Sequence, residues 1–190
     1  APLLEAIEVA VETLARVEAA RFADFLEAAG QLDSMTVQRV LARGLAGVAA
    51  QQPNLALNFL LSDSRRFKLG DYYGEHRDSG ALISSVCPYL TAEQIRAIEQ
   101  AISTRELLRV PRPDIEPERI ERWTRQARLR LLRYIPEQLR SEEAAAIVTA
   151  EETAFPGLAQ EDGISVSGGP TKIESPMSAD AMEKASDDEI

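Results

Sequence analysis

The sequence has very few of the residues that build most catalytic and metal sites. Its 190 residues include one cysteine, Cys87, and one histidine, His76. A lone cysteine excludes an intrachain disulfide and a cysteine metal cluster. A lone histidine has no second imidazole to share a metal with, and no nucleophile and base pair stands out. We therefore expect no cofactor, no metal and no enzyme activity.

Aromatic residues and long apolar runs are also scarce. Aromatic residues make up 5% of the chain, and no run approaches the roughly 18 apolar residues of a membrane span. We therefore expect no membrane contact and, with a single cysteine, a reducing, cytoplasmic location. Leucine, alanine, isoleucine and valine dominate the first three quarters, which favours helices over sheet.

The formal net charge of −10 is confined to one end of the chain. Residues 141–190 carry 12 acids and two lysines, which gives −10, whereas residues 1–140 carry 19 acids and 19 bases, which sum to zero. A neutral helical body and an acidic tail should have different partners.

Apolar residues at three-to-four spacing predict a series of amphipathic helices. The first covers residues 2–29 and closes with Gly30 as a glycine C-cap. The second covers residues 35–50, where Gly44 and Gly47 would allow close helix contact. Further helices are predicted at 55–61 after Pro53, at 80–90, at 95–102 after a capping box at Thr91, at 118–135 after Pro117, and from Ser141 to about residue 155.

These helices predict an all-α fold, an irregular α-solenoid of stacked antiparallel helical pairs. We expect a helical array at residues 1–110, a proline-linked helical pair at 111–155 and a flexible acidic arm at 156–190. The arm ends in Ser186-Asp187-Asp188-Glu189-Ile190, which is typical of the first turn of a further, truncated helix. This pattern suggests a segment of a larger protein.

The least periodic part of the body, residues 64–78, is the first candidate site. It gathers five candidate interaction residues: Arg65, Arg66, Tyr72, Tyr73 and His76. A small hydrolase would need Asp71, His76 and Asp78 within hydrogen-bond reach of one another. Alternatively, the loop is ordered by ion pairs of its charged residues while its aromatic residues pack on neighbouring helices. The residues concerned are Arg65, Arg66, Asp71 and Asp78 for the ion pairs, and Phe67, Tyr72 and Tyr73 for the packing.

The second candidate site is the arginine-rich helix 118–135, with Arg122 and Arg125 as its candidate residues. Residues 105–140 contain ten arginines and six acids, a net charge of +4. Such a helix could hold phosphates or nucleic acid. However, Glu118 with Arg122 and Glu121 with Arg125 stand at i,i+4, which favours a solvated, salt-bridged face. Aromatic residues are not interleaved with the arginines as a stacking platform needs.

Two stretches resemble large bacterial ATP-binding proteins of the STAND and NACHT-like type, many of them tied to antiphage defence. The first is FLLSDSRRFKLGD at residues 59–71, with Asp78-Ser79 and the following helix; the second is IESPM at 173–177, leading into ASDDEI at 185–190. The resemblance implies a helical region beyond a nucleotide-binding module. The sequence itself contains no Walker-type loop, so no phosphate-binding residue is carried over.

The sequence therefore predicts a non-catalytic scaffold or sensor segment of a multidomain protein. Its expected partner is another protein or another domain of the parent chain. The alternative is nucleic-acid or phosphate-ligand binding through the helix 118–135.

Overall fold

The computed structural model describes residues 2–71, 74–104 and 115–156, and the described residues form eight α-helices. They are α1 (Pro2–Val17), α2 (Ala19–Ala29), α3 (Met35–Gly47), α4 (Pro53–Ser62), α5 (Arg77–Val86), α6 (Ala92–Thr104), α7 (Pro117–Arg133) and α8 (Glu142–Ala154). Short 3₁₀ helices occur at Ser64–Lys68, Cys87–Tyr89 and Glu137–Leu139. The predicted all-α class is confirmed, while the solenoid arrangement stays a prediction.

The third helix occupies the centre of the first half of the molecule. It packs against α1 on one side and α5 on another, while α4 contacts α5 and α6, α6 contacts α7, and α7 contacts α8. The buried apolar side chains form one cluster that includes residues from α1 to α8. Polar contacts also join early and late parts of the fold: Ser84 Oγ donates to the Tyr134 carbonyl at 2.7 Å, Arg128 donates to the Ser103 carbonyl at 3.2 Å, and Glu99 Oε1 accepts from the Ser141 N–H at 2.8 Å.

The prediction of one helix over residues 2–29 is wrong, because the chain leaves helical geometry at Glu18, with φ −131° and ψ 62°. The break separates α1 from α2 and lets Phe22 of α2 become fully buried. Gly44 of α3 makes room for this ring, since a Cβ there would lie 2.6 Å from it. Gly30 caps α2 in the right-handed helical region, with φ −63°, and not in the left-handed conformation that a glycine C-cap implied.

Most helix starts lie where the sequence places them, whereas several ends differ. Thr91 and Gln94 exchange the two hydrogen bonds of a capping box, at 2.9 and 3.3 Å, which confirms that prediction. The predicted helix 35–50 ends at Gly47, where an added Cβ would meet no atom within 4 Å, so this glycine provides no close contact. The predicted helix 80–90 instead spans α5 and a 3₁₀ turn, because Pro88 has no N–H to continue the helical ladder.

Parts of the predicted organisation lie outside the described residues. The joint that the sequence predicts near 110–117 falls largely on residues 105–114, and the acidic arm falls almost entirely on 157–190. The boundaries at 110 and 155 therefore stay predictions. Among the described helices, none combines the length and the apolar character that crossing a membrane requires.

Candidate functional site

The central loop is folded tightly against the helices around it. Its 3₁₀ helix is capped by Asp63, whose Oδ1 accepts from the Arg65 N–H at 2.9 Å. Gly70 lets the chain fold back, since a Cβ there would stand 1.9 Å from the Gly74 carbonyl oxygen. An isolated bridge then joins Asp71 to Gly74. The loop is thus a compact link between α4 and α5.

Arg66 is a buried structural residue of this loop. Its guanidinium donates to the carbonyls of Gly30 and Phe59 at 2.7 and 2.8 Å, and to Gln38 Oε1 at 2.9 Å. It also lies 4.0 Å above the centre of the Phe59 ring. Burial lowers the pKa of Arg66 from its usual value. Because its donors are used inside the fold, Arg66 is unsuited to binding a partner.

Arg65 is exposed and has two acidic partners. It donates to Asp63 and to Asp33, which joins the loop to the α2–α3 connection. The hydrogen bonds that Arg65 donates to Asp63, and then the charge of Asp63, raise the pKa of Arg65 above its usual value. The predicted loop-ordering role therefore fits Arg65, with partners other than those proposed from the sequence. Tyr72 and Tyr73, two further candidate residues, lie outside the described residues.

His76 is buried in the core, with 4% of its surface exposed. Its Nδ1 lies 2.7 Å from the Phe67 carbonyl oxygen, which can only accept, so Nδ1 carries the proton. Nε2 is buried and has no hydrogen-bond partner among the described residues. Burial lowers the pKa of His76, and the charges of Arg130 and Lys68 lower it further. His76 is therefore neutral at pH 7.

Asp78 belongs to a buried ionic cluster that the sequence patterns did not predict. Its carboxylate accepts from Arg39 Nε at 2.7 Å and Arg43 Nε at 3.2 Å, both on α3. Arg43 also donates to Glu8 of α1 at 2.5 Å. The full cluster consists of Glu8, Arg39, Arg43, Asp71, Arg77 and Asp78. We call it the buried ionic cluster after its two buried acids, Glu8 and Asp78, whereas Arg77 is exposed at its edge.

One sequence signal could have revealed this cluster. Glu8 interrupts the otherwise apolar series Leu4, Val11 and Ala15 on the buried face of α1, and only 5% of its surface is exposed. A buried acid needs a cationic partner. Arg39 and Arg43 stand one turn apart on α3 and supply it.

No hydrogen bond between described residues joins the three side chains of the hydrolase alternative, although Asp71 and Asp78 both pair with Arg39 and Arg77. His76 Nδ1 is bonded to the Phe67 carbonyl, Asp78 to the arginines of α3, and Asp71 to Arg77 at 2.8 Å. They do not form the hydrogen-bonded chain that such an enzyme needs. Within the described residues, no three His, Cys, Asp or Glu side chains are grouped to hold a metal ion.

Three of the six arginines of α7 lie against aromatic rings, contrary to the prediction from the sequence. Arg119 lies 4.7 Å from the Trp123 ring centre, while Arg122 and Arg125 lie 5.9 and 5.2 Å from that of Phe155. We call these five residues the α7 arginine–aromatic face. The sequence does not indicate this position for Phe155, because it follows α8 and only the packing of α8 on α7 brings it to this face.

The predicted pairing of Glu121 with Arg125 is replaced by a contact between helices. Arg125 Nε lies 3.0 Å from both carboxylate oxygens of Glu151 on α8, and its Nη2 lies 2.8 Å from one of them. Glu151 is the better partner because it is buried and held in place by the helix packing. The described residues show no ion pair between Glu118 and Arg122 either.

Comparison with known proteins identifies no relative. No family model, no curated protein and no solved structure matches this chain.

An exposed apolar surface on α1 is the other unusual feature of the molecule. Leu3 and Val17 are each 74% exposed and Ile7 is 43% exposed. With Ala10, which is exposed, and Leu14, which is half-buried and also packs on the core, they repeat at alternating spacings of four and three, which places all five on one side of the helix. We call these residues the α1 apolar stripe. The stripe lies beside the face of α1 that packs on α3. The apolar surface of α1 is therefore wider than the part of the helix that is buried.

Proposed function

We propose that this chain is a non-catalytic helical interaction segment, a scaffold or sensor part of a larger multidomain protein. The observation that supports this most directly is the α1 apolar stripe. Exposed apolar surface of this kind is characteristic of protein-binding sites. The resemblance to helical regions of STAND and NACHT-like proteins supports a parent of that type, acting in the cytoplasm.

The occupant that fits the stripe best is an amphipathic helix. Apolar residues at alternating three and four spacing form the seam of a left-handed helix pair. The positions that flank the stripe on its open side are small and uncharged: Ala6 and Thr13 are both exposed. Small flanking residues let a second helix approach closely. Because neither residue is charged, no charged group has to be desolvated there when the helix binds.

Burial of the adjacent face of α1 holds the stripe in position. Val11 and Ala15 on that face are buried, and Glu8 is bonded to Arg43 on α3. The helix therefore presents its stripe from a fixed support, so that little conformational entropy is lost when a partner binds. The partner should carry its own apolar residues at helical spacing.

The test compares two positions on α1 that are similarly apolar and exposed but face different ways. Ile7 lies in the stripe, whereas Val9, which is 62% exposed, lies outside it. A photo-crosslinking amino acid is placed at position 7 or position 9 of the full chain in cells, and the adducts are mapped by mass spectrometry. We expect position 7 to give an adduct with one helical segment of another protein or of the parent chain.

Ile7→Glu should abolish that contact, as measured with a crosslinker at position 3, whereas Val9→Glu should preserve it. Identical adducts from positions 7 and 9 would contradict the proposal. An adduct only between two copies of this chain would show self-association in place of partner binding.

A further inference from the structure

Two arginines of the α7 arginine–aromatic face have uncompensated charges. Arg119 and Arg122 are exposed and contact aromatic rings, and no ion pair joins either to a carboxylate in the described part of the chain. The third arginine, Arg125, is already neutralised by Glu151. The face therefore has two free positive charges beside Trp123, which is 36% exposed.

The helix separates these cations from its own acids. At 3.6 residues per turn, Arg119, Arg122, Trp123 and Gln126 lie within an arc of about 100° that contains no acid. Glu118 and Glu121 lie to one side of that arc, towards Arg125. An anionic partner can thus approach the arc without meeting a carboxylate directly in its path.

The chain continues from this face into an acidic segment. Phe155, which belongs to the face, is followed by Pro156 and then by residues 157–190. That segment contains eight acids and two lysines, a net charge of −6. Its first acids, Glu161 and Asp162, are flanked by the apolar residues Leu158 and Ile164.

The first acids are close enough to reach both arginines. Five to six residues of extended chain span up to about 20 Å. The stretch of α7 from Arg125 to Arg119 is about 9 Å long. Phe155 already lies beside Arg125, so Glu161 and Asp162 are within reach of Arg119 and Arg122.

We propose that residues 157–190 bind the α7 arginine–aromatic face of the same chain, with Glu161 and Asp162 paired to Arg119 and Arg122. Single exposed ion pairs contribute little, but a short tether gives an effective concentration on the order of millimolar, which is enough to populate a weak contact. Leu158 and Ile164 add apolar contact with Trp123. The inference goes beyond the proposed function, which concerns α1.

Trp123 is the only tryptophan of the chain, so its fluorescence reports whether this face is covered. Acrylamide quenching of its fluorescence is measured for the full chain, for E161Q/D162N, and for the control D187N/D188N, which removes the same charge far from the face. We expect the quenching constant to rise about twofold in E161Q/D162N and to stay unchanged in the control. Salt at about 0.5 M should raise it in the wild type as well, because exposed ion pairs are screened.

Two results would overturn the inference. One is equal quenching in the wild type and both double variants, which would show that Glu161 and Asp162 do not cover Trp123. The other is tight binding of an oligothymidylate that quenches Trp123 equally in the wild type and E161Q/D162N. That result would show an unoccupied nucleic-acid site. Neither result bears on the α1 apolar stripe.

Discussion

The ring of Tyr134 lies against the backbone of α5 at Gly80. A Cβ at position 80 would stand 2.2 Å from Cε2 of that ring. One turn further along α5, Ser84 donates a hydrogen bond to the Tyr134 carbonyl. Glycine at position 80 therefore allows the end of α7 to pack directly on α5.

Gly80→Ala should destabilise the fold by about 1–3 kcal/mol, because the new methyl group displaces Tyr134 from a packed interior. Gly47→Ala is the matched control. It lies in the last turn of α3 with nothing within 4 Å of an added Cβ, so it should be neutral or stabilising by up to about 1 kcal/mol. Urea unfolding followed by circular dichroism measures both. Equal losses in the two variants would contradict this role of Gly80.

Asp78→Asn should destabilise the protein by about 3 kcal/mol, because Arg39 and Arg43 would lose the buried carboxylate that they share. Asp78 is only 2% exposed, so water cannot replace its charge. As a control, Glu18→Gln removes the acid of an exposed pair with Arg21 and should leave the melting temperature unchanged. Calorimetry of the three proteins checks this prediction. A loss below about 1 kcal/mol for Asp78→Asn would show that the buried ionic cluster does not stabilise the fold.

Local signals in the sequence predicted helix starts well. Thr91 and Ser141 cap their helices through hydrogen bonds within one turn, and Pro117 is the first residue of α7. A sequence displays such signals directly. The break at Glu18 could not be predicted in this way. No proline or glycine marks it, and the burial of Phe22 that accompanies it depends on α3.

Most of the ion pairs that the sequence did not predict join residues that are far apart in the chain. The i,i+4 spacing pairs Arg125 with a residue four positions away, whereas its partner Glu151 is 26 positions away. Asp78 likewise pairs with Arg39, 39 positions away. Such partners are set by helix packing, which periodicity does not specify. Only Glu8, an acid at a position of α1 where the helical spacing calls for an apolar residue, indicated a buried ion pair.

Stability should fall as the pH drops below about 6.5, the ordinary pKa of histidine. Burial lowers the pKa of His76 in the folded state. The unfolded chain therefore takes up a proton before the folded chain does. This contribution to stability is fully present above the unfolded pKa and is lost at up to about 1.4 kcal/mol per pH unit below it. Urea unfolding between pH 7.5 and 5.5 measures the slope.

His76→Asn is the control for this pH dependence. His76 is the only histidine in the chain, so the slope in this range should be largely absent from the variant. The amide nitrogen of asparagine takes the place of Nδ1 and can still donate to the Phe67 carbonyl. The same slope in both proteins would show that another group is responsible.

Cys87 should be unreactive towards thiol reagents until the protein unfolds. Its side chain is fully buried, and burial, followed by the charge of Glu99, raises the pKa of the Cys87 thiol to about 12. Only the thiolate reacts, so at pH 8 about one molecule in ten thousand is in the reactive form. With Ellman's reagent, the rate should rise with urea in step with unfolding. The variant Cys87→Ala/Tyr89→Cys moves the thiol to a position that is 54% exposed and should react at once. Equally fast reaction of the native protein would contradict the burial of Cys87.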